Sequence, residues 1–233
     1  MKRILIILII LLLTITLVEK YNIWNTYKQE SIIINNLKQE DNIWTHLESI
    51  NKDIIGWLKI DDTPIDYPIV KGNDNQEYLH TSFNKKYSLS GSIFMDYRNN
   101  SLFQDNITII YGHNMNNDTM FSSLVKYENK SFFENHLQGS IQTKHNNFKL
   151  NIFAVSKVSI YDLDIYSLTN TQEYLLNILK GKAIYYHDIN PNNLIILSTC
   201  NNIRDDERVI IVANITKNEW FLLQKSFLYC IIL

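Results

Sequence analysis

The sequence predicts a mainly β domain with helices, carried behind an N-terminal membrane segment. Three observations predict it. From Ile54 onward, short β-prone apolar runs alternate with polar turns, ending in Val209-Ile210-Ile211-Val212-Ala213. Before them, residues 22 to 50 repeat apolar positions at spacings of three and four, with no Pro or Gly, as amphipathic helices do. Ahead of both, Ile4 to Val18 is apolar apart from Thr14 and Thr16, and it follows Lys2 and Arg3.

Length and charge narrow the function classes. The chain has 233 residues, enough for one ordinary domain plus a membrane segment. Its formal net charge of -2 gives no sign of nucleic-acid binding. The two cysteines, Cys200 and Cys230, do not make a disulfide framework in a chain of this length.

Taken in order, the apolar run is short of the roughly 20 residues of a spanning helix. No small-x-small cleavage site follows it, and Tyr21 and Trp24 suit the outer interface. Residues 1–20 are therefore expected to be an uncleaved signal-anchor. Lys2 and Arg3 would keep the N-terminus in the cytoplasm and place the rest outside. Residues 21–50 read as one or two helices, with His46 on a helix surface. The β domain spans 51–215. Its expected strands are Ile54–Ile60, Ile65–Val70, Gly91–Asp96, Ile107–Tyr111, Ser140–Thr143, Phe148–Ile160 and Leu194–Cys200. Pro68 inside the second implies an edge or bulge. Gln76 to Leu79 reads as a short helical turn, Met115 to Ser131 has helical spacing, and Tyr161–Tyr166 reads as a loop. Thr171 to Gly181 reads as a helix with Tyr174, Leu175, Ile178 and Leu179 on one face. Residues 216–233 form a tail interrupted by Gln224 and Lys225, too short to span a bilayer.

The chemistry concentrates where an apolar strand ends on Leu197-Ser198-Thr199-Cys200, a polar loop follows, and the next strand starts at Arg208. Paired strands would hold a cysteine and an arginine at one sheet edge. A thiolate is a strong nucleophile, and arginine stays charged and hydrogen-bonds an oxyanion. The missing base is best supplied by His113 in Tyr111-Gly112-His113, after another short apolar strand. Gly112 permits a bend or close approach beside it. The hydroxyls of Ser198 and Thr199 stand next to the nucleophile and are candidate helpers at the oxyanion.

This trio resembles the sortase family, the cysteine transpeptidases of Gram-positive cell surfaces. Leu197 to Cys200 looks like the family's motif around its nucleophile, Arg208 like its arginine, and Tyr111 to His113 like its histidine segment. Three further stretches, 53–60, 65–70 and 91–98, look most like class B. The resemblance implies a closed β-barrel of about eight strands, N-terminal helices packed on it, and a helix before the cysteine strand. It implies that Asn75 and Leu79 line a substrate groove, with 159–166 as one wall. It further implies cleavage of a C-terminal sorting motif of surface proteins through a thioacyl intermediate. The acyl group would then pass to a peptidoglycan amine, outside a single-pass cell membrane anchor. A class B tail like 216–233 is not expected.

No cofactor and no metal is expected. Asp205, Asp206 and Glu207 beside an arginine read as solvated charge, and the other histidines lack metal-ligand spacing. A papain-like protease would place its cysteine before its histidine. An L,D-transpeptidase would show a Ser-His-Gly-Cys type motif, which is missing. The rival outside enzymology is an anchored β-domain that binds a partner with Cys200 buried and inert.

Overall fold

The structure is a computed structural model and describes residues 2–38, 43–200 and 206–218, with only the backbone of Lys2 and Cys200. Asp205, Cys230 and most of the expected tail, 219–233, lie outside the described residues.

The chain begins with one long helix, α1 (Lys2–Leu37). The expected anchor and the start of the helical segment are thus a single element, because no Gly or Pro interrupts residues 2 to 37. Inside the apolar part, Thr14 and Thr16 donate their hydroxyls to the carbonyls of Leu11 and Leu13, so neither is left unpaired. A short α2 (Ile43–Ile50) follows, with Leu47 buried. His46 is exposed, as its helical position predicted.

The strands are β1 (Ile54–Ile60), β2 (Asp66–Val70), β3 (Ile93–Met95) and β4 (Ile107–Tyr111). A 3-10 helix (Ser122–Glu128) and α3 (Lys130–Asn135) come next, where sequence spacing had indicated helix. Then follow β5 (Gln138–Gln142), β6 (Asn147–Ser159), α4 (Gln172–Lys182), β7 (Ala183–Tyr186), β8 (Asn193–Cys200) and β9 (Glu207–Lys217). Thr171 caps α4 by accepting from the Tyr174 N–H at 3.2 Å. Sequence reading did not anticipate β7.

The sheet runs β5-β1-β2-β3-β4-β8-β9-β6, and β6 pairs back onto β5, closing a barrel of eight strands. β7 adds to the later part of β6, at Ala154 to Ser156, where β5 no longer reaches. Two pairings are parallel, β2 with β3 and β4 with β8; the rest are antiparallel. Pro68 lies opposite Trp57 in the β1 ladder, before pairing to β3 starts at Ile69. It therefore occupies a stretch with one partner strand, where its missing N–H is tolerated.

Strand alternation sorts the core into layers. Leu58, Ile110, Ile195, Leu197, Val209 and Ile211 fill the barrel interior. Ile109, Leu194, Ile196, Ile210 and Val212 form the opposite face of the same strands, covered by Leu175 and Leu179 of α4. β4, β8 and β9 are apolar on both faces, which is why they read as unbroken apolar runs. Each such buried side chain contributes about 1.5–3 kcal/mol relative to exposure. A third cluster joins Ile34 and Leu37 of α1 and Leu47 of α2 to Trp57, Tyr78 and Phe83, fastening the helices to the barrel.

Candidate active site

The site lies at the ends of β4, β8 and β9. Parallel pairing puts Tyr111 opposite Ser198, and antiparallel pairing puts Cys200 opposite Arg208. The ladder is continuous up to that last pair, so a cysteine and an arginine meet in register as the sequence predicted. Gly112 donates its N–H to the Ser198 carbonyl at 3.2 Å, extending the contact one residue past β4. A Cβ at Gly112 would lie 2.5 Å from Ile93 Cδ1 and 2.7 Å from Phe121 Cδ2, so only glycine allows this approach.

His113 follows, half-buried. Its carbonyl accepts from the Phe121 N–H at 2.9 Å, which closes the loop behind it. Its Nε2 lies 2.8 Å from the Leu79 carbonyl. A carbonyl only accepts, so this nitrogen carries the proton and Nδ1 is left as the basic one in the neutral ring. The His80 ring stacks on His113 with centroids 5.8 Å apart. Leu79 thereby touches the site through its backbone oxygen, a role that sequence reading, which weighed its side chain, did not see.

A groove of about 210 Å³ is lined by Asn75, Leu79, Tyr111, His113, Ser198, Thr199 and Arg208, with Phe94 and Gly112. Every described side chain among the predicted site residues therefore reaches one place. Arg208 is half-buried, and its Nη1 donates to the Glu207 carbonyl at 3.0 Å. Ser198 is buried, with its Oγ 3.0 Å from the Tyr166 hydroxyl. Thr199 is buried too, and its Oγ1 has no hydrogen-bond partner among the described residues.

Sequence reading assigned no role to Asp96 or Arg98, which stand just past β3. The Asp96 side chain is fully buried beneath the groove. Its carboxylate accepts from Arg98 Nε and Nη2, each at 2.8 Å, and from Asn75 Nδ2 and the Tyr111 hydroxyl, each at 3.0 Å. Burial pushes this carboxyl up, but the bonds from Arg98 and Asn75 outweigh it and hold it below the usual carboxylate range. Burial, and then the adjacent Asp96 charge, push the Tyr111 hydroxyl far up, so it stays protonated and donates. Arg98 Nη2 also reaches the Tyr166 carbonyl at 3.0 Å. The one local signal in the sequence was an acid and an arginine two positions apart after an apolar strand.

A family model described as Sortase domain matches residues 58–216. Sortase B of Staphylococcus aureus is 34% identical over 240 residues, covering 93% of this chain and 98% of that protein. The crystal structure of a Streptococcus pyogenes class B sortase involved in pilus biogenesis superposes with a TM-score of 0.70 at 38% identity, over 74% of this chain and 97% of that one. A Staphylococcus aureus sortase B-substrate complex superposes with a TM-score of 0.69 at 31% identity, over 85% and 96%.

Proposed function

We propose that Cys200, His113 and Arg208 carry the reaction of this chain, which belongs to the sortase family, is most like class B and is a cysteine transpeptidase. Family membership removes the reading as a binding domain without catalysis. The observation that carries the residue assignment is the register: Cys200 opposite Arg208, with Tyr111, two residues before His113, opposite Ser198 on the neighbouring strand.

The Cys200 thiolate attacks a backbone carbonyl carbon of a peptide in the groove. The carbonyl electrons move onto oxygen, and Arg208 stabilises that oxyanion. As the oxyanion collapses, the C–N bond breaks and protonated His113 gives its proton to the leaving amine, leaving a thioester on Cys200. A second amine then attacks the thioester and loses its proton to His113, and Cys200 leaves as thiolate.

The substrates of this reading are surface proteins bearing a C-terminal sorting motif, and the acceptor is a peptidoglycan amine. A structure of a relative with substrate supports the first, and one of sortase B complexed with triglycine supports an amine acceptor. α1 is long and apolar enough to cross a membrane. With Lys2 and Arg3 inside, a single pass would hold the barrel on the outer surface.

The test incubates the full chain in detergent with a library of fluorogenic sorting-type peptides, with and without a glycine-based amine, beside Cys200→Ala. Cleavage that needs Cys200, with product joined to the amine, is the expected result. Cleavage that survives Cys200→Ala would remove Cys200 as nucleophile.

A further inference from the structure

The groove is lined by Asn75 and Leu79 of one segment, and Tyr166, from a segment distant in sequence, reaches its edge with a hydroxyl 3.0 Å from the Oγ of the lining residue Ser198. Asp96 and Arg98 are the groups that join the two segments. Asp96 bonds Asn75 and Tyr111, both of which line the groove. Arg98 bonds Asp96 with two guanidinium nitrogens and extends one of them to the Tyr166 carbonyl. Tyr166 in turn stacks on Tyr111, ring centroids 6.4 Å apart.

We infer that Asp96 and Arg98 form a positioning pair that fixes Tyr166 relative to Asn75 and Tyr111 of the groove and presents the Asn75 carboxamide to a bound peptide in one orientation. This rests on the reading of the groove as the peptide site. An ionised carboxylate accepts hydrogen bonds and donates none, so the Asn75 NH2, not its oxygen, faces Asp96. The Asn75 Oδ1 accepts from the Tyr97 N–H at 3.0 Å, which fixes the same orientation from the other side. One amide N–H and one oxygen lone pair remain. An extended peptide backbone offers the complementary C=O and N–H. The guanidinium is planar and forked, so it fixes an angle as well as a distance between Asp96 and Tyr166.

The plainer reading is that Arg98 only neutralises a buried charge. The two readings differ in what they move. The Arg98 side chain is 42% exposed, so its replacement leaves the core packing in place. With the full chain and a fluorogenic sorting-type peptide cleaved by the wild type, Arg98→Ala is expected to raise KM about tenfold, the loss of a charge-assisted hydrogen bond. The value of kcat should stay within about twofold, since no bond to the reacting atoms is removed. Alkylation of Cys200 by iodoacetamide, which needs no bound peptide, should keep its rate. Arg98→Lys should recover part of KM, because lysine keeps the charge but not the fork. Amide exchange across 161–167 should speed up in Arg98→Ala and less in Arg98→Lys.

An Arg98→Ala protein with lowered Tm and wild-type KM would overturn the pairing and leave charge neutralisation. A fall in kcat at unchanged KM would overturn it as well. A wild-type chain that alkylates at Cys200 but cleaves no library peptide would instead strike the peptide-groove reading, and the pair with it.

Discussion

The two ends of the β8–β9 ladder share one backbone and differ in chemistry. At one end, Leu194 to Leu197 and, on the facing strand, Ile211 to Ala213 are fully buried on both faces. At the other, the same unbroken register carries Ser198 opposite Ile210, Thr199 opposite Val209 and Cys200 opposite Arg208. Ladder hydrogen bonds are blind to side chains, so the apolar end anchors the strands and the polar end inherits their rigidity. The polar end costs something: a buried Thr199 hydroxyl without a partner among the described residues. Stability and reactivity are thus separated by a few residues along one pair of strands.

The largest effects should come from the polar end and leave folding nearly untouched. Cys200→Ala should abolish turnover, and Arg208→Ala should lower kcat about 10²–10³-fold, as loss of an oxyanion donor does. Steady-state kinetics beside thermal melting checks both; Arg208→Ala at near wild-type kcat would break the assignment. The apolar end should behave in reverse. Leu197→Ala should cost about 3 kcal/mol in denaturant unfolding, while the folded fraction keeps its Cys200 alkylation rate.

A pH scan sharpens the comparison at Asp96. Its folded pKa is depressed by Arg98 and Asn75. Its contribution is therefore complete above the unfolded value of about 3.9 and is lost as pH falls through the folded value. Asp96→Asn should be less stable at neutral pH and should lose less stability between about pH 4 and 2 than the wild type, read from urea midpoints. An equal acid loss in both would deny the carboxylate this role. The smallest effect belongs to Thr199→Val, which replaces a hydroxyl without a partner among the described residues with a methyl of similar shape. It should raise stability by up to about 1 kcal/mol. A large fall in turnover at unchanged stability would instead give that hydroxyl a task at the oxyanion.

Much of the site was legible because it is written in local patterns. An apolar run ending in Ser198-Thr199-Cys200, and another ending in Gly112-His113, mark strand ends with reactive groups whatever the fold around them. The closed barrel came from resemblance and the helix before β8 from the spacing of Tyr174, Leu175, Ile178 and Leu179, and both are present. β7 escaped notice because Ala183 to Tyr186 is four half-exposed or exposed residues directly after a helix, with no alternation to separate it. Gly112 was read as a bend or close approach; the structure makes it a close approach, since Ile93 and Phe121 occupy the space a Cβ would need. The Leu79 carbonyl at His113 left no trace in residue type, because every residue carries a carbonyl.

By itself the sequence determined the order of the elements apart from β7, the chemical groups at the strand ends and the apolar reach of the first helix. These follow from periods of two and 3.6 and from the chemistry of single side chains, which act over a few residues. Only the tertiary structure decided which groups meet. Asp96 finds Asn75 at 21 positions away, Tyr111 at 15 and, through Arg98, the carbonyl of Tyr166 at 68 from that arginine. A buried carboxylate must be satisfied by whatever donors the closed barrel brings to it, and barrel closure is a property of all eight strands at once.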